Sequence, residues 1–545
     1  MLVLSALLAA MIAAGARAAP GDATATLVAN IAPGGADFFP TQLTNVNGTV
    51  FFRANDGANG QELWKTDGTL GGTTMVEDAV PGGGINPGAA SSAPTGLTAV
   101  NGTLYFTAND GTNGVELWKS DGTPAGTKMV DVFGGGINPG PASSNPIRFT
   151  NVNGTVFFTA TDGTNGVEIW KTDGTPAGTA MVEDTIPGGG GIRPGPADSS
   201  PFGLVNVNGT LLFHADDGTN GREVWRSDGS PVGTSMVEDA VPGGGIRPGA
   251  NVGSDPFDLT DVNGTLYFTA EDGTNGNELW KSASPFATAT MVEDALPGGG
   301  INPGAASSGP QEPTNVNGTV YFAANDGTNG LEVWRSDGTP AGTTIVEDAI
   351  PSGGIRPGAT GSNPGHFANL NGIVLFSADD GTNGNELWRS DGTPAGTTIV
   401  EDAVPGGGIR PGATGSTPQS FANVNGTLFL EANDGTNGNE LWRSVSPYTT
   451  VTMVEDAVPG GGINPGGASS NPFNYTDLNG TVLFGADDGP NGIELWKLTI
   501  EGPATPPPAV NPGPTGQRAA ALKKCKKKRG RARANCKKKA KKLPL

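Results

Sequence analysis

The sequence predicts an all-β protein: a closed β-propeller of about nine four-stranded blades, with an N-terminal strand completing the last blade. Three observations predict it. All nine Trp (Trp64, Trp118, Trp170, Trp225, Trp280, Trp334, Trp388, Trp442 and Trp496) fall on one lattice, with spacings of 54, 52, 55, 55, 54, 54, 54 and 54 residues. Such a period marks a repeat architecture. Each unit reads as four short strands joined by tight turns. The two ends of the chain also hold complementary fragments of one unit.

The unit from Pro94 to Ser144 shows the order of elements. Strand a is Thr95–Val100, ended by Asn101-Gly102, the dipeptide that suits a type I′ hairpin because both central residues need positive φ. Strand b, from Thr103 to Ala108, is rich in aromatic and β-branched residues. Asn109 to Gly114 turns the chain into strand c, Val115-Glu116-Leu117-Trp118-Lys119. A third turn, Asp121 to Gly126, leads to strand d from Thr127 to Asp131 and then to a long Gly/Pro loop from Gly134 to Ser144. No window carries the i, i+3, i+4 apolar spacing of a helix. A lone four-stranded sheet cannot cover both its faces, so units must pack on one another, and a propeller does this radially.

The ends select the ring over a linear solenoid. The last unit stops after strand c, at Trp496-Lys497-Leu498. The chain after residue 18 opens with an orphan strand d, Thr24-Ala25-Thr26-Leu27-Val28, followed by Ala32-Pro33-Gly34-Gly35. A ring closed by a shared blade needs this arrangement, whereas a solenoid favours caps.

Glu116-Leu117-Trp118-Lys119-Ser120-Asp121-Gly122-Thr123 resembles the ELWxxDGT repeat of exported bacterial proteins, over residues 24 to 500. The resemblance implies an exported repeat protein and carries no reaction with it. Two units depart from the motif: Ser282 to Phe286 and Ser444 to Tyr448 replace the Asp-Gly-Thr turn at equal length. One turn standing in for another argues that this Asp is structural.

Met1–Ala18 reads as a secretory signal, with an apolar stretch from Leu2 to Ala14 and a small-x-small site at Ala16-Arg17-Ala18. A Pro-rich linker over 501–517 precedes a basic tail, 518–545, which resembles the tails of exported actinobacterial proteins. The tail holds 14 Lys/Arg and no acid, so the rest of the chain has 18 bases against 53 acids, a net of −35 within the overall −21. Such a body repels phosphate backbones, excluding nucleic acid as a partner of the propeller. The tail suits an anionic surface, cell-wall polymer or lipid headgroups. Its Cys525 and Cys536 are the only cysteines, and they can pair in an oxidising compartment. With two His in the chain, His/Cys zinc sites and Cys–His nucleophiles are excluded from the body.

Two acids recur in every unit. Eight residues before each Trp stands Asp56, Asp110, Asp162, Asp217, Asp272, Asp326, Asp380, Asp434 or Asp488. Two before it stands Glu62, Glu116, Glu168, Glu223, Glu278, Glu332, Glu386, Glu440 or Glu494. They offer oxygen ligands that calcium could take. The reading favoured here is structural, with no cofactor: the Asp caps its own turn and the Glu accepts backbone N–H bonds. The long loops repeat Pro-Gly-Gly-Gly-Ile-Asn/Arg-Pro-Gly. Their variable residue is Asn86, Asn138, Arg193, Arg247, Asn302, Arg356, Arg410 or Asn464, on the end of the ring shared with the b-to-c turns. These are the ligand-face candidates, against the plainer reading that such loops bridge blades.

The acids repeat nearly identically around the ring, while catalysis needs one site that differs. Only His214, Glu271, His366 and Glu431 stand out, scattered over different units. The sequence therefore points to a secreted or surface-associated monomer that binds an extracellular protein or glycan without catalysis. The alternative is a hydrolase or lyase acting on polysaccharide through paired carboxylates.

Overall fold

The computed structural model describes residues 23–500 and 517–542, apart from 32–36, 78–83, 89, 131–135, 139, 183–190, 194, 238–245, 248–251, 293–299, 303–305, 348–353, 401–407, 411, 455–462 and 465–467. The signal segment 1–18 and the linker up to residue 516 lie outside the described residues.

Nine four-stranded antiparallel sheets follow one another along Thr24–Thr499. Blade 1 has strands a to d at Thr41–Val46, Thr49–Asn55, Gln61–Thr66 and Thr74–Met75. Blade 2 repeats this at Thr95–Val100, Thr103–Asn109, Val115–Ser120 and Lys128–Met129. The last sheet takes strands a, b and c from Phe473–Leu478, Thr481–Asp487 and Ile493–Ile500, and strand d from the N-terminal strand Ala23–Ala29. The protein is a nine-bladed β-propeller closed by a shared blade.

The Asn-Gly hairpins have the expected backbone: Asn101 has φ 50° and Gly102 φ 78°, and the other eight a-to-b turns match them. Neighbouring a strands are tied to each other. Asn206 donates its side-chain N–H to the Asn151 carbonyl at 2.9 Å, and Asn423 does the same to Asn369. Ring closure uses the same bond, from Asn45 to the Asp477 carbonyl at 2.6 Å.

The core lies between blades, which is why the repeat cannot fold as a lone sheet. Between blades 1 and 2, Val46, Phe51, Leu63 and Ile85 pack on Leu104, Phe106, Ala108 and Trp118. Across the closure, Val28 and Ala29 of the N-terminal strand pack with Phe52 and Trp64 of blade 1 and Leu495 of blade 9. Where the Asp-Gly-Thr turn is replaced, Phe286 and Tyr448 fill the same kind of interface and are fully buried.

The basic tail is not a plain extension. It forms two helices, α1 (Gln517–Cys525) and α2 (Gly530–Ala540), joined by the Cys525–Cys536 disulfide. No apolar periodicity marks these helices in the sequence. Ala, Lys, Arg and Leu have high intrinsic helix propensity, and the disulfide, not an apolar stripe, holds the two short helices together.

Candidate binding face

Every element of the repeated motif has a structural task. Glu168 of blade 3 is fully buried. Its carboxylate accepts the backbone N–H of Ile192 at 3.0 Å, the backbone N–H of Ser199 at 3.1 Å and the Ser199 hydroxyl at 2.7 Å, all from the d-to-a loop. Gly191, at φ +104°, lets that loop pass so close that a Cβ there would lie 2.5 Å from the carboxylate, which accounts for Gly before Ile in the loop motif. The same lock recurs on Glu62, Glu116, Glu223, Glu278, Glu332, Glu386 and Glu440. On Glu494 the donor is the N–H of Ile31, from the N-terminal segment. The lysine after Trp faces the other way and latches the next blade: Lys119 Nζ donates to the Gly174 carbonyl at 2.6 Å, and Lys497 to Gly68 across the closure.

The Asp eight residues before each Trp caps its own turn. Asp110 accepts the N–H groups of Thr112 and Asn113 through one oxygen and the Asn113 side-chain amide through the other. The same Asn amide bond is present at Asp56, Asp162, Asp217, Asp272, Asp326, Asp380, Asp434 and Asp488. The Asp and Glu of a unit thus serve different loops. Among the described residues no three His, Cys, Asp or Glu side chains gather as a metal would require.

These two acids carry opposite electrostatics. Burial pushes Glu168, Glu223, Glu278, Glu332 and Glu440 up to about 7, against the pull of their serine and backbone donors. Glu62, Glu116 and Glu386 move the same way. Burial also raises Asp110, but the N–H groups of Asn113 and Thr112 and the Asn113 amide together outweigh it and hold the carboxyl below its usual 3.8. Between about pH 4.5 and 7 the folded glutamates retain protons that the unfolded chain has released, so stability falls as pH rises through that window. Asp56, Asp110, Asp162 and Asp272, held low by their turn donors, work oppositely, losing stability as pH falls below the ordinary carboxylate range. Thermal unfolding scans should therefore give a higher melting temperature at pH 5 than at pH 7.5 and a decline below pH 4. A flat profile from 5 to 7.5 would contradict the buried, proton-holding glutamates.

The Asn/Arg loop residues sit at the b-to-c end of the ring, and the side chains of seven of the eight are engaged within the protein. Arg193 pairs with Asp216 at 3.2 Å, Arg247 with Glu271 at 2.8 Å and Arg356 with Asp379 at 2.8 Å, each partner ending strand b of the next blade. Asn86, Asn138, Asn302 and Asn464 donate to the carbonyls of Ser91, Ser143, Ser307 and Ser469. The backbone N–H of Arg410 bonds to Glu386.

A different ring of residues breaks the symmetry. The second residue of each a strand is Gln42, Gly96, Arg148, Gly203, Asp258, Glu312, His366, Ser420 or Asn474. All nine have positive φ, from 52° to 67°, and each sits in a break of the a–b register. Only two are glycine, so seven side chains stand in a conformation that L residues rarely adopt. Bulges of this kind re-aim side chains and gather near functional sites. Several side chains lean onto the next blade: Gln42 accepts the Gly96 N–H, Asp258 the Glu312 N–H and Glu312 the His366 N–H.

Three of the four residues that looked scattered along the chain share this level. His366 belongs to the ring itself. His214 and Glu431 lie on strand b opposite the first residue of strand a, paired with Phe202 and Gln419. Glu271 is the exception, held by Arg247. The signal was available in the sequence: each ring residue stands 22 before its Trp, as Gln42 does before Trp64, in a column where the repeat loses its identity.

No family model matches the chain, nor does any curated protein. Among solved structures, one of two prolyl endopeptidases studied for inter-domain dynamics is 12% identical, over 75% of this chain and 54% of that one, with a TM-score of 0.36. A puromycin hydrolase is 14% identical over 76% and 60%, TM-score 0.35. Oligopeptidase B from Leishmania major is 12% identical over 72% and 52%, TM-score 0.35. The chain spans between about half and three-fifths of the length of these structures. Its nine blades are established by its own sheets.

Proposed function

We propose that this ELWxxDGT-type propeller is a non-catalytic, exported binding or scaffold protein whose ligand, a glycan or an extracellular protein, docks on the b-to-c end of the ring around the starts of the a strands. The observation that carries this reading is the division of labour within the repeat. The positions that stay constant from unit to unit are consumed by turns, latches and blade interfaces, while side-chain diversity gathers in a ring of exposed or half-exposed residues with left-handed backbone, three residues after a second left-handed set that includes Phe39, Asn145 and Ser200. Strain kept at seven non-glycine positions argues for a use beyond folding. Exposed apolar side chains gather there as well: Phe39, Ile147 and Phe202. The Asp and Glu of the repeat are read as structural, with no calcium. The disulfide-clipped helical tail, with its uncompensated positive charge, is read as the handle that holds the protein to an anionic cell surface.

A glycan array probed with the full chain tests the docking face. The control is a variant in which Arg148, Asp258 and His366 are replaced by Gly, the residue that blades 2 and 4 already carry at φ +67° and +64°. Binding by the full chain and its loss in a folded variant is the expected result. Unchanged binding by the variant would remove this face. Turnover of a bound glycan, abolished by one carboxylate substitution, would favour the hydrolase reading. In cells, a chain lacking 518–545 should appear in the medium instead of on the surface.

A further inference from the structure

The symmetry-breaking ring is richest where blades 3, 4 and 5 meet. A cavity of about 600 Å³ opens there between the starts of the a strands, lined by Ile147, Arg148, Phe202, His214, Arg222 and Phe257 among others. Its lining is mostly apolar, with Phe202 51% and Ile147 41% exposed. Among the described residues no other blade junction combines two exposed large apolar side chains with cations.

The charges in this cavity are unevenly matched. Arg222 faces Asp255 at 3.6 Å, and Asp198 accepts the Val167 N–H. Arg148 has no carboxylate within ion-pairing distance among the described residues. Its guanidinium lies 4.4 Å from the Phe202 ring centroid, and one N–H reaches Thr159 at 3.5 Å, a long contact. A half-buried guanidinium without an anion is costly, and a bidentate carboxylate is the partner that matches its fork. Beside it, His214 is 6% exposed, and its Nδ1 makes no hydrogen bond within the protein. Its ring lies 5.4 Å from that of Phe202. Burial, reinforced by Arg222 and Arg148, depresses its imidazole to about 4, so it is neutral at physiological pH and offers an acceptor or a single donor instead of a charge.

We infer that this cavity binds a carboxylate carried on a ring-sized body, with Arg148 taking the anion, His214 a polar substituent, and Phe202 and Phe257 the apolar face of the ring. A cationic ligand is opposed by both arginines. A purely apolar one would leave Arg148 unpaired. Two sources share the required chemistry, a uronate unit of an acidic glycan and a free aromatic acid. The inference rests on the reading that this end of the ring is the binding face.

Calorimetric titration of the full chain at physiological ionic strength separates the outcomes. The probes are trigalacturonate and phenylacetate, each against its neutral counterpart, a galactose trimer and phenylacetamide. At least one acid should bind tenfold or more tighter than its neutral counterpart, and the acid that does so identifies the source. Arg148→Gln should erase that preference. Phe202→Ser, at an exposed position where folding is not at stake, should weaken the acid at least tenfold with no change in melting temperature. Acids that bind no tighter than neutral probes, or a preference that survives Arg148→Gln, would overturn the assignment. Array binding by the whole chain alongside a failed titration removes this cavity and leaves the docking face. A successful titration with a blank array overturns the macromolecular ligand and leaves the cavity.

Discussion

Glu168→Ala is expected to destabilise the propeller by about 3–5 kcal/mol, since three buried neutral donors lose their acceptor and each one left unsatisfied costs about 1–3 kcal/mol. The substitution leaves the Ile192 N–H, the Ser199 N–H and the Ser199 hydroxyl without their acceptor in a fully buried site. It also opens a void beneath the loop that Gly191 brings close, so the loss is felt at both blade 3 and the crossing to blade 4. Glu168→Gln should cost less, because it keeps a neutral side chain with one acceptor oxygen. It should also make the stability profile between pH 5 and 7.5 less steep by one group's share, since the proton that Glu168 retains up to about 7 is no longer there to be lost while the other buried glutamates keep theirs. Equilibrium denaturation of both variants at the two pH values reads each effect. The same experiment separates the structural from the calcium reading of this carboxylate. Were the repeated acids holding calcium, chelation would reproduce the Glu168→Ala loss in the unsubstituted chain. The expected result is that EDTA leaves the unfolding midpoint where it was.

The sequence displayed the scaffold with unusual completeness because a nine-fold repeat multiplies every local signal. One Asn-Gly pair suggests a hairpin, while nine at constant phase from Trp define a blade. The ring closure was legible too, because a missing strand d at one end and an orphan strand d at the other have a single joint solution. The glutamate lock was only half legible: the alternation that puts Glu116 beside Trp118 implied burial, but its partners lie 21 and 28 residues onward, in Ile137 and Ser144. The binding face was hardest to read, for a reason intrinsic to repeats. Regularity draws attention to constant positions such as Asp110, and constant positions are the ones a scaffold uses. Arg148 and His366 carry the same left-handed backbone as Gly96, yet nothing in their local sequence announces a bulge. His214 and Glu431, in different units, share a level only once the sheets are in register. The tail escaped for the opposite reason: its helices depend on propensity and a disulfide and leave no hydrophobic period to detect.

Removing residues 23–31 is expected to open the propeller at one seam. The N-terminal strand buries Ala25, Val28 and Ala29 and supplies strand d to blade 9. Burial of a Val-sized side chain contributes about 1.5–3 kcal/mol. With the two alanines, the ladder bonds and the Ile31 N–H at Glu494, the deletion should cost about 4–6 kcal/mol, near the upper end of the burial scale for two side chains. The ring would not fall apart at once. Thr476 still donates to the Leu43 carbonyl at 2.8 Å, Asn45 to Asp477, and Lys497 to Gly68, so blades 9 and 1 remain joined along their inner edges and at the opposite turn. What is lost is the outer layer, and with it cover for strand c at Ile493–Ile500. An eight-residue strand with an unpaired edge and Leu495 and Trp496 beneath it is a template for pairing with another copy. The truncated chain should therefore elute as dimers and larger species on size-exclusion chromatography and melt at a lower temperature. A synthetic peptide of residues 23–31 should restore the monomer by adding the missing strand in trans. A linear stack of units makes the contrary prediction, because there an N-terminal strand touches only its sequence neighbours and its loss cannot expose residue 496. Equal melting temperatures for the truncated and full chains, or a peptide that restores nothing, would mean that the seam is held by the inner strands and the Lys497 latch alone.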